Sequence, residues 1–244
     1  MTHTYVLISG AWHGGWAWRP VAEHLRAQGH LVLTPTLPGL ADGDDPTAHN
    51  LVDVSDFLVN LIDQHDLDDV TLVGHSWGGY PMTAAVPKLL ARLREVVYWS
   101  AFVPTEGASL LDEVPPHYVE LFTALAEASG TDSVTLPLEV WQQAFMQDAT
   151  DAVQRLVHTL LVPQPMNYFR QPVDPVDFQA IGLPVRYLVS QEDVALPPGE
   201  YAWTPRFPDR LGVAPEFVPG SHEACFTQPK ALAEALTRRS AETP

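Results

Sequence analysis

One cysteine in 244 residues, Cys225, leaves no intrachain disulfide to form. Neither that thiol nor the histidines take the short spacing of a zinc site, so no metal is expected. Cations are scarce: 13 Lys plus Arg stand against 30 Asp plus Glu, a net charge of −17. So acidic a surface repels phosphate backbones and anionic lipid, which argues against nucleic acid and membrane as partners. No run approaches the roughly 18 apolar residues that cross a bilayer. The opening Met1-Thr2-His3-Thr4 lacks a basic region and is followed by too short an apolar run for an export signal, so a cytoplasmic protein is expected. The glycine-rich stretch at 10–15 lacks the Lys-Ser/Thr ending of a phosphate loop, and its glycine spacing fails as a dinucleotide turn. No cofactor is therefore expected.

What remains is an ordinary globular balance, 46% hydrophobic and 18% charged residues. The length suits one large α/β domain or a core with an insertion. Tyr5-Val6-Leu7-Ile8 reads as a buried strand. Trp18, Val21 and Leu25 give a helix over 17–28 that Gly29 closes. Leu31-Val32-Leu33 is the next strand, residues 40–49 are polar, and Leu51, Val54, Leu58, Leu61 and Ile62 mark a second helix. Strands follow at 70–73 and 96–99, with a helix between them that Pro87 should kink or end. Strands alternating with helices predict a mostly parallel, doubly wound sheet. Residues 105–180 break the rhythm and read as helices over about 115–128 and 137–162 between Pro-rich turns. Alternation resumes at 185–189, with a last strand at 216–218 and a closing helix over 230–239. The expected organisation is a core of 1–104 and 181–244 with a helical cap, 105–180, over the strand C-terminal ends.

Val70-Thr71-Leu72-Val73 runs straight into Gly74-His75-Ser76-Trp77-Gly78. Strand, Gly-x-Ser-x-Gly and helix together are the context of a nucleophile elbow, with Ser76 at the apex. A serine hydroxyl needs an imidazole to take its proton and a carboxylate to orient that imidazole. Behind such an elbow the order along the chain is Ser, acid, His. His222, in Pro219-Gly220-Ser221-His222 after the last strand, is the candidate base, ahead of His158 in the cap. Asp193, after the strand at 185–189, is the favoured acid, with Glu192 and Glu106 as alternatives. Two N–H donors are needed at the oxyanion. Trp77 supplies one as the residue after the nucleophile, and Ala11, after flexible Gly10, the other. His13 packs within that loop or touches substrate, and His75 has a structural role.

With these residues assembled, the chain resembles the α/β-hydrolase superfamily, in the branch of plant methylesterases, hydroxynitrile lyases and small bacterial esterases. Gly10-Ala11-Trp12-His13-Gly14-Gly15-Trp16 is similar to the first loop of that branch, as are Ala101-Phe102-Val103-Pro104 and Asp193-Val194-Ala195-Leu196-Pro197-Pro198 in their places. The resemblance implies the α/β-hydrolase fold with Ser76, Asp193 and His222 as catalytic residues and Ala11 and Trp77 as oxyanion donors. Three departures stand out: Ser9 and Ser100 replace the usual His and Asp, and 204–215 is long. The lyases use a Thr in the first loop and a Lys after the catalytic His. Gly10 and Glu223 stand there instead, and Glu223 is expected to repel an anionic leaving group. The expected activity is hydrolysis of a small, largely apolar or aromatic carboxylic ester through an acyl-enzyme. Gly10, Trp12, His13, Phe102, Trp141, Phe145 and Tyr168 are the expected substrate contacts, with Phe169 in the cap lining. A lyase, cyclase or dehydratase using the same site is the alternative, then a ligand-binding member without activity. The expected partner is a small-molecule ester, and a monomer or homodimer is expected.

Overall fold

Short apolar runs without polar alternation become strands whose two faces are both covered. The computed structural model describes residues 2–238. Among these, β1 (Thr4–Ile8), β2 (Leu31–Leu33), β3 (Val70–His75), β4 (Leu93–Trp99), β5 (Val185–Ser190) and β6 (Pro215–Val218) form one sheet in the order β2-β1-β3-β4-β5-β6. Every neighbouring pair is parallel. Side chains along β1 alternate between two cores. Tyr5 and Leu7 meet Val21 and Leu25 of α1 (Arg19–Ala27) and Leu232 and Leu236 of α7 (Pro229–Thr237). Val6 and Ile8 belong with Val54, Leu58 and Ile62 of α2 (Leu51–Gln64) and Val86 of α3 (Gly79–Leu89). The strand period of two thus places helices on both faces. The expected closing helix covers 230–239, and position 239 lies outside the described residues. Helix α3 runs through Pro87 and stops two residues later.

The segment between β4 and β5 is less regular than its sequence suggests. Helix α4 (Pro116–Ser129) forms where expected. The helix expected over 137–162 does not form as one piece. It breaks into a turn at Leu138–Val140, a wide π-type turn at Trp141–Phe145, and α5 (Asp151–His158). The break has a tertiary cause: Asp148 leaves the helical path so that its Oδ2 accepts from Ser221 N–H at 3.1 Å and Thr227 Oγ1 at 2.6 Å. A two-stranded antiparallel ribbon, Ser133–Val134 with Gln164–Pro165, also forms here. Two residues are too few to show a strand period, so the sequence carries no sign of it.

Candidate active site

Strand β3 ends at His75, and the chain turns so sharply that Ser76 adopts φ +52°. A left-handed backbone at a non-glycine residue is strained and must be held by its surroundings. Two hydrogen bonds hold it: Ser76 N–H donates to Ser100 O at 3.1 Å, and Phe102 N–H donates to Ser76 O at 3.2 Å. Space requires the glycine at 78, where a Cβ would stand 2.6 Å from the backbone Ser9 O; one on Gly74 would lie 2.9 Å from the end of the Met82 side chain and 3.1 Å from Gly78 O. Ser100, one of the departures noted above, also accepts from Ser190 N–H through its Oγ at 3.1 Å, tying the elbow to β5.

Asp193 follows β5 and His222 follows β6, so two adjacent strand ends deliver them. His222 Nδ1 donates to Asp193 Oδ2 at 2.7 Å. The second Asp193 oxygen accepts from Ala195 N–H at 3.0 Å, and the carboxylate is fully buried. Glu192 and Glu106 are exposed. Burial opposes protonation of His222, but the charge and hydrogen bond of Asp193, with the charge of Glu223, outweigh it and raise its pKa above the ordinary imidazole value. Trp203 stacks on the His222 ring at 5.4 Å and Phe145 meets it edge-on at 5.4 Å. His75 lies under His222. Its Nε2 is 3.0 Å from His222 O, and a carbonyl only accepts, so Nε2 carries the hydrogen. Burial first, then His222 and His13, push His75 well below the usual imidazole range and keep it neutral. His158 stands elsewhere, its Nε2 2.7 Å from Leu136 O.

Ser76, His222, Ala11 and Trp77 line one cavity. The loop that carries Ala11 is fixed from three directions. Ser9 Oγ donates to Gly14 O at 3.0 Å. Trp12, at φ +66°, gives its N–H to Gln164 Oε1 and its Nε1–H to Val134 O, both at 2.9 Å, while its carbonyl accepts from Val162 N–H at 2.9 Å. A Cβ at Gly10 would lie 3.0 Å from Ser76 Cβ and 3.1 Å from His75 Nδ1, so the first-loop threonine of the lyases would crowd the elbow here.

Of the expected substrate contacts, Trp12, Phe102 and Phe145 line the cavity, as does Phe169. Gly10, His13, Trp141 and Tyr168 do not. They support the wall from behind. His13 Nδ1 donates to Ala11 O at 2.7 Å. Trp141 stacks behind Phe145 and gives its Nε1–H to Gln154 O. Tyr168 stacks on Trp77 at 5.3 Å and gives its hydroxyl to Pro38 O. The sequence reading missed Tyr118, Phe122, Leu196 and Trp203 on the wall. The i, i+4 spacing of Tyr118 and Phe122 was a usable signal, whereas nothing local marks Trp203. Burial, and then Asp193, pushes the Tyr118 hydroxyl up to about 12, so it stays neutral.

Glu223 does not face the cavity as expected. Its carboxylate is buried behind the wall, 3.6 Å from His13 Nε2, so it cannot meet a leaving group. His75, His222 and Glu223 bring possible ligand atoms within 4.8 Å of one another, but His75 Nε2 and His222 Nδ1 are already engaged in hydrogen bonds.

Residues 5–235 match the alpha/beta hydrolase family. The chain is 34% identical over 181 residues to a carbendazim hydrolyzing esterase of Nocardioides, covering 69% of this chain and 72% of that one. It is 28% identical over 254 residues to methylesterase 2 of Arabidopsis thaliana, covering 95% and 94%. A solved extracellular alpha/beta-hydrolase from Paenibacillus, which shares structural and functional homology with a tobacco salicylic acid binding protein, superposes with TM-score 0.89 at 31% identity over 95% of this chain and 96% of that one. The chain therefore belongs to the alpha/beta hydrolase family, in the branch that joins plant methylesterases to small bacterial esterases, and is a carboxylic ester hydrolase.

Proposed function

We propose that Ser76 attacks the carbonyl of a small, largely apolar or aromatic ester, with His222 as general base and Asp193 orienting it. His222 takes the Ser76 proton and returns it to the departing alcohol, and the same imidazole then activates water to release the acid from the acyl-enzyme. Ala11 and Trp77 N–H groups stabilise the tetrahedral oxyanion. The observation that carries this reading is the buried 2.7 Å His222–Asp193 pair, whose imidazole lines the same cavity as strained Ser76 while the carboxylate stands behind it.

The wall supports a neutral substrate. Aromatic and aliphatic side chains dominate it, and it holds no Lys, Arg, Asp or Glu side chain. Hydrolysis makes a carboxylate, which such a wall solvates poorly, so the acid product leaves readily. A methyl ester is the substrate form that the methylesterase relatives support. Residues 105–180 act as the cap that supplies Leu110, Tyr118, Phe122, Phe145 and Phe169 to the cavity.

Ser76→Ala tests the mechanism. Aryl-acetate turnover is expected to fall by several powers of ten, with loss of labelling by a fluorophosphonate. Turnover that survives the substitution would remove Ser76 from the reaction.

A further inference from the structure

Two ionisable side chains are buried together beside the catalytic groups, and neither is a member of the Ser76–His222–Asp193 relay. His13 and Glu223 are each only 2% exposed, and His13 Nε2 lies 3.6 Å from Glu223 Oε2. Each is tied to a different half of the site. His13 Nδ1 is 2.7 Å from Ala11 O, and since a carbonyl only accepts, Nδ1 carries the hydrogen. That leaves Nε2 directed away from the loop and buried without a hydrogen bond, with the Glu223 carboxylate 3.6 Å from it. Glu223 directly follows His222, and its backbone N–H donates to Phe145 O at 3.2 Å. Two tryptophans and a phenylalanine close around His13: Trp16 at 5.5 Å, Trp141 at 5.7 Å and Phe226 at 6.3 Å. Among the described residues the carboxylate's side-chain hydrogen bond is from the weak Cys225 S–H donor at 3.6 Å, and a ring nitrogen of each of His75 and His222 lies within 4.8 Å of it. A carboxylate buried among aromatic rings is costly unless paired, so its position follows that of the imidazole.

We propose that His13 and Glu223 hold one further proton between Nε2 and Oε2, and so form a buried acid–base strut that sets the Ala11 loop relative to the His222 loop, making Glu223 a positioning residue for ester hydrolysis. The inference rests on the assignment of Ala11 as an oxyanion donor. The strut acts on the carbonyl side of Ala11, within the residue whose N–H faces the reaction. A shift of a few tenths of an ångström there weakens the oxyanion more than it weakens ground-state binding. Its effect therefore belongs to kcat and not to KM.

The test compares wild type, Glu223→Gln, His13→Asn and the double variant on an aryl acetate, with rates referred to sites titrated by a fluorophosphonate. Each single variant is expected to lose about 10- to 100-fold in kcat with KM within about twofold. The double variant is expected to lose no more than the worse single one, because both remove the same contact. Affinity for a boronic acid, which forms the tetrahedral adduct, should fall by the factor lost in kcat. If Glu223→Gln does not fold, His13→Asn carries the same expectation alone. Unchanged kcat, multiplicative losses, or a loss confined to KM would overturn the strut. A wild type that neither reacts with the fluorophosphonate nor shows burst turnover would instead overturn the ester-hydrolysis mechanism beneath it.

Discussion

The imidazole of His222 sits between opposed influences, burial against the carboxylates of Asp193 and Glu223, and the carboxylates win. The sign of the pH dependence follows. A general base works only when neutral, so kcat/KM should rise with pH through a limb placed above the 6.5 of free imidazole. Asp193→Asn removes the stronger of the two carboxylate influences. It should move that limb to lower pH and cost about 10⁴-fold in kcat, since the ring also loses the partner that fixes its tautomer. A pH–rate profile on one aryl ester checks both, and a limb that stays in place would contradict the pairing. Space sets the second constraint on single residues. Gly78→Ala forces a Cβ to within 2.6 Å of Ser9 O, a backbone atom that cannot swing aside. It should lower the melting temperature and activity together, in thermal scans and turnover, whereas Gly107→Ala, with open space around it but φ +72°, should cost stability alone.

At the scale of elements, the stretch preceding β5 and the chain following it are clamped by charge. Glu113 is buried and pairs with Arg206 and Arg210, and Arg210 also donates to Val103 O at 2.6 Å. The long 204–215 stretch noted in the sequence carries both arginines in α6 (Arg206–Leu211) and follows Trp203 on the cavity wall. Glu113→Gln leaves the arginines without their carboxylate. It should cost on the order of 2 kcal/mol in denaturant unfolding, below the fully buried case because both guanidinium groups are partly exposed. Elements whose cause is local were legible in the sequence. The elbow needs five consecutive residues, and each sheet strand announces itself by its own apolar run. The region from 137 to 162 was not legible, because a bond from Asp148 to the His222 loop, more than seventy residues away, breaks the helix. The catalytic candidates were legible because their residue types are chemically constrained. The aromatic wall was only half so: sequence shows that His13, Trp141 and Tyr168 lie near the loop and the cap, but not that they face away from the cavity.

Across the whole molecule, 30 acidic residues against 13 basic ones set a field of one sign. Like charges spread over one surface repel, and salt screens that repulsion beyond about 10 Å at 0.1 M. Raising sodium chloride from low salt to about 0.5 M should therefore raise the urea midpoint. A midpoint that falls would show that ion pairs such as Arg92 with Asp66 and Asp68 outweigh the general repulsion. The same field helps an anionic acid product to leave. The three hydrogen bonds that fasten Trp12 to Val134, Val162 and Gln164 reach further still. With residues 105–180 in the capping role proposed above, they make substrate range and rate inseparable. A chimera that borrows this segment from a sister enzyme, without residues matched at those three points, will acquire a new substrate range on a slackened reaction centre, and breeding variants for one trait will drag the other along.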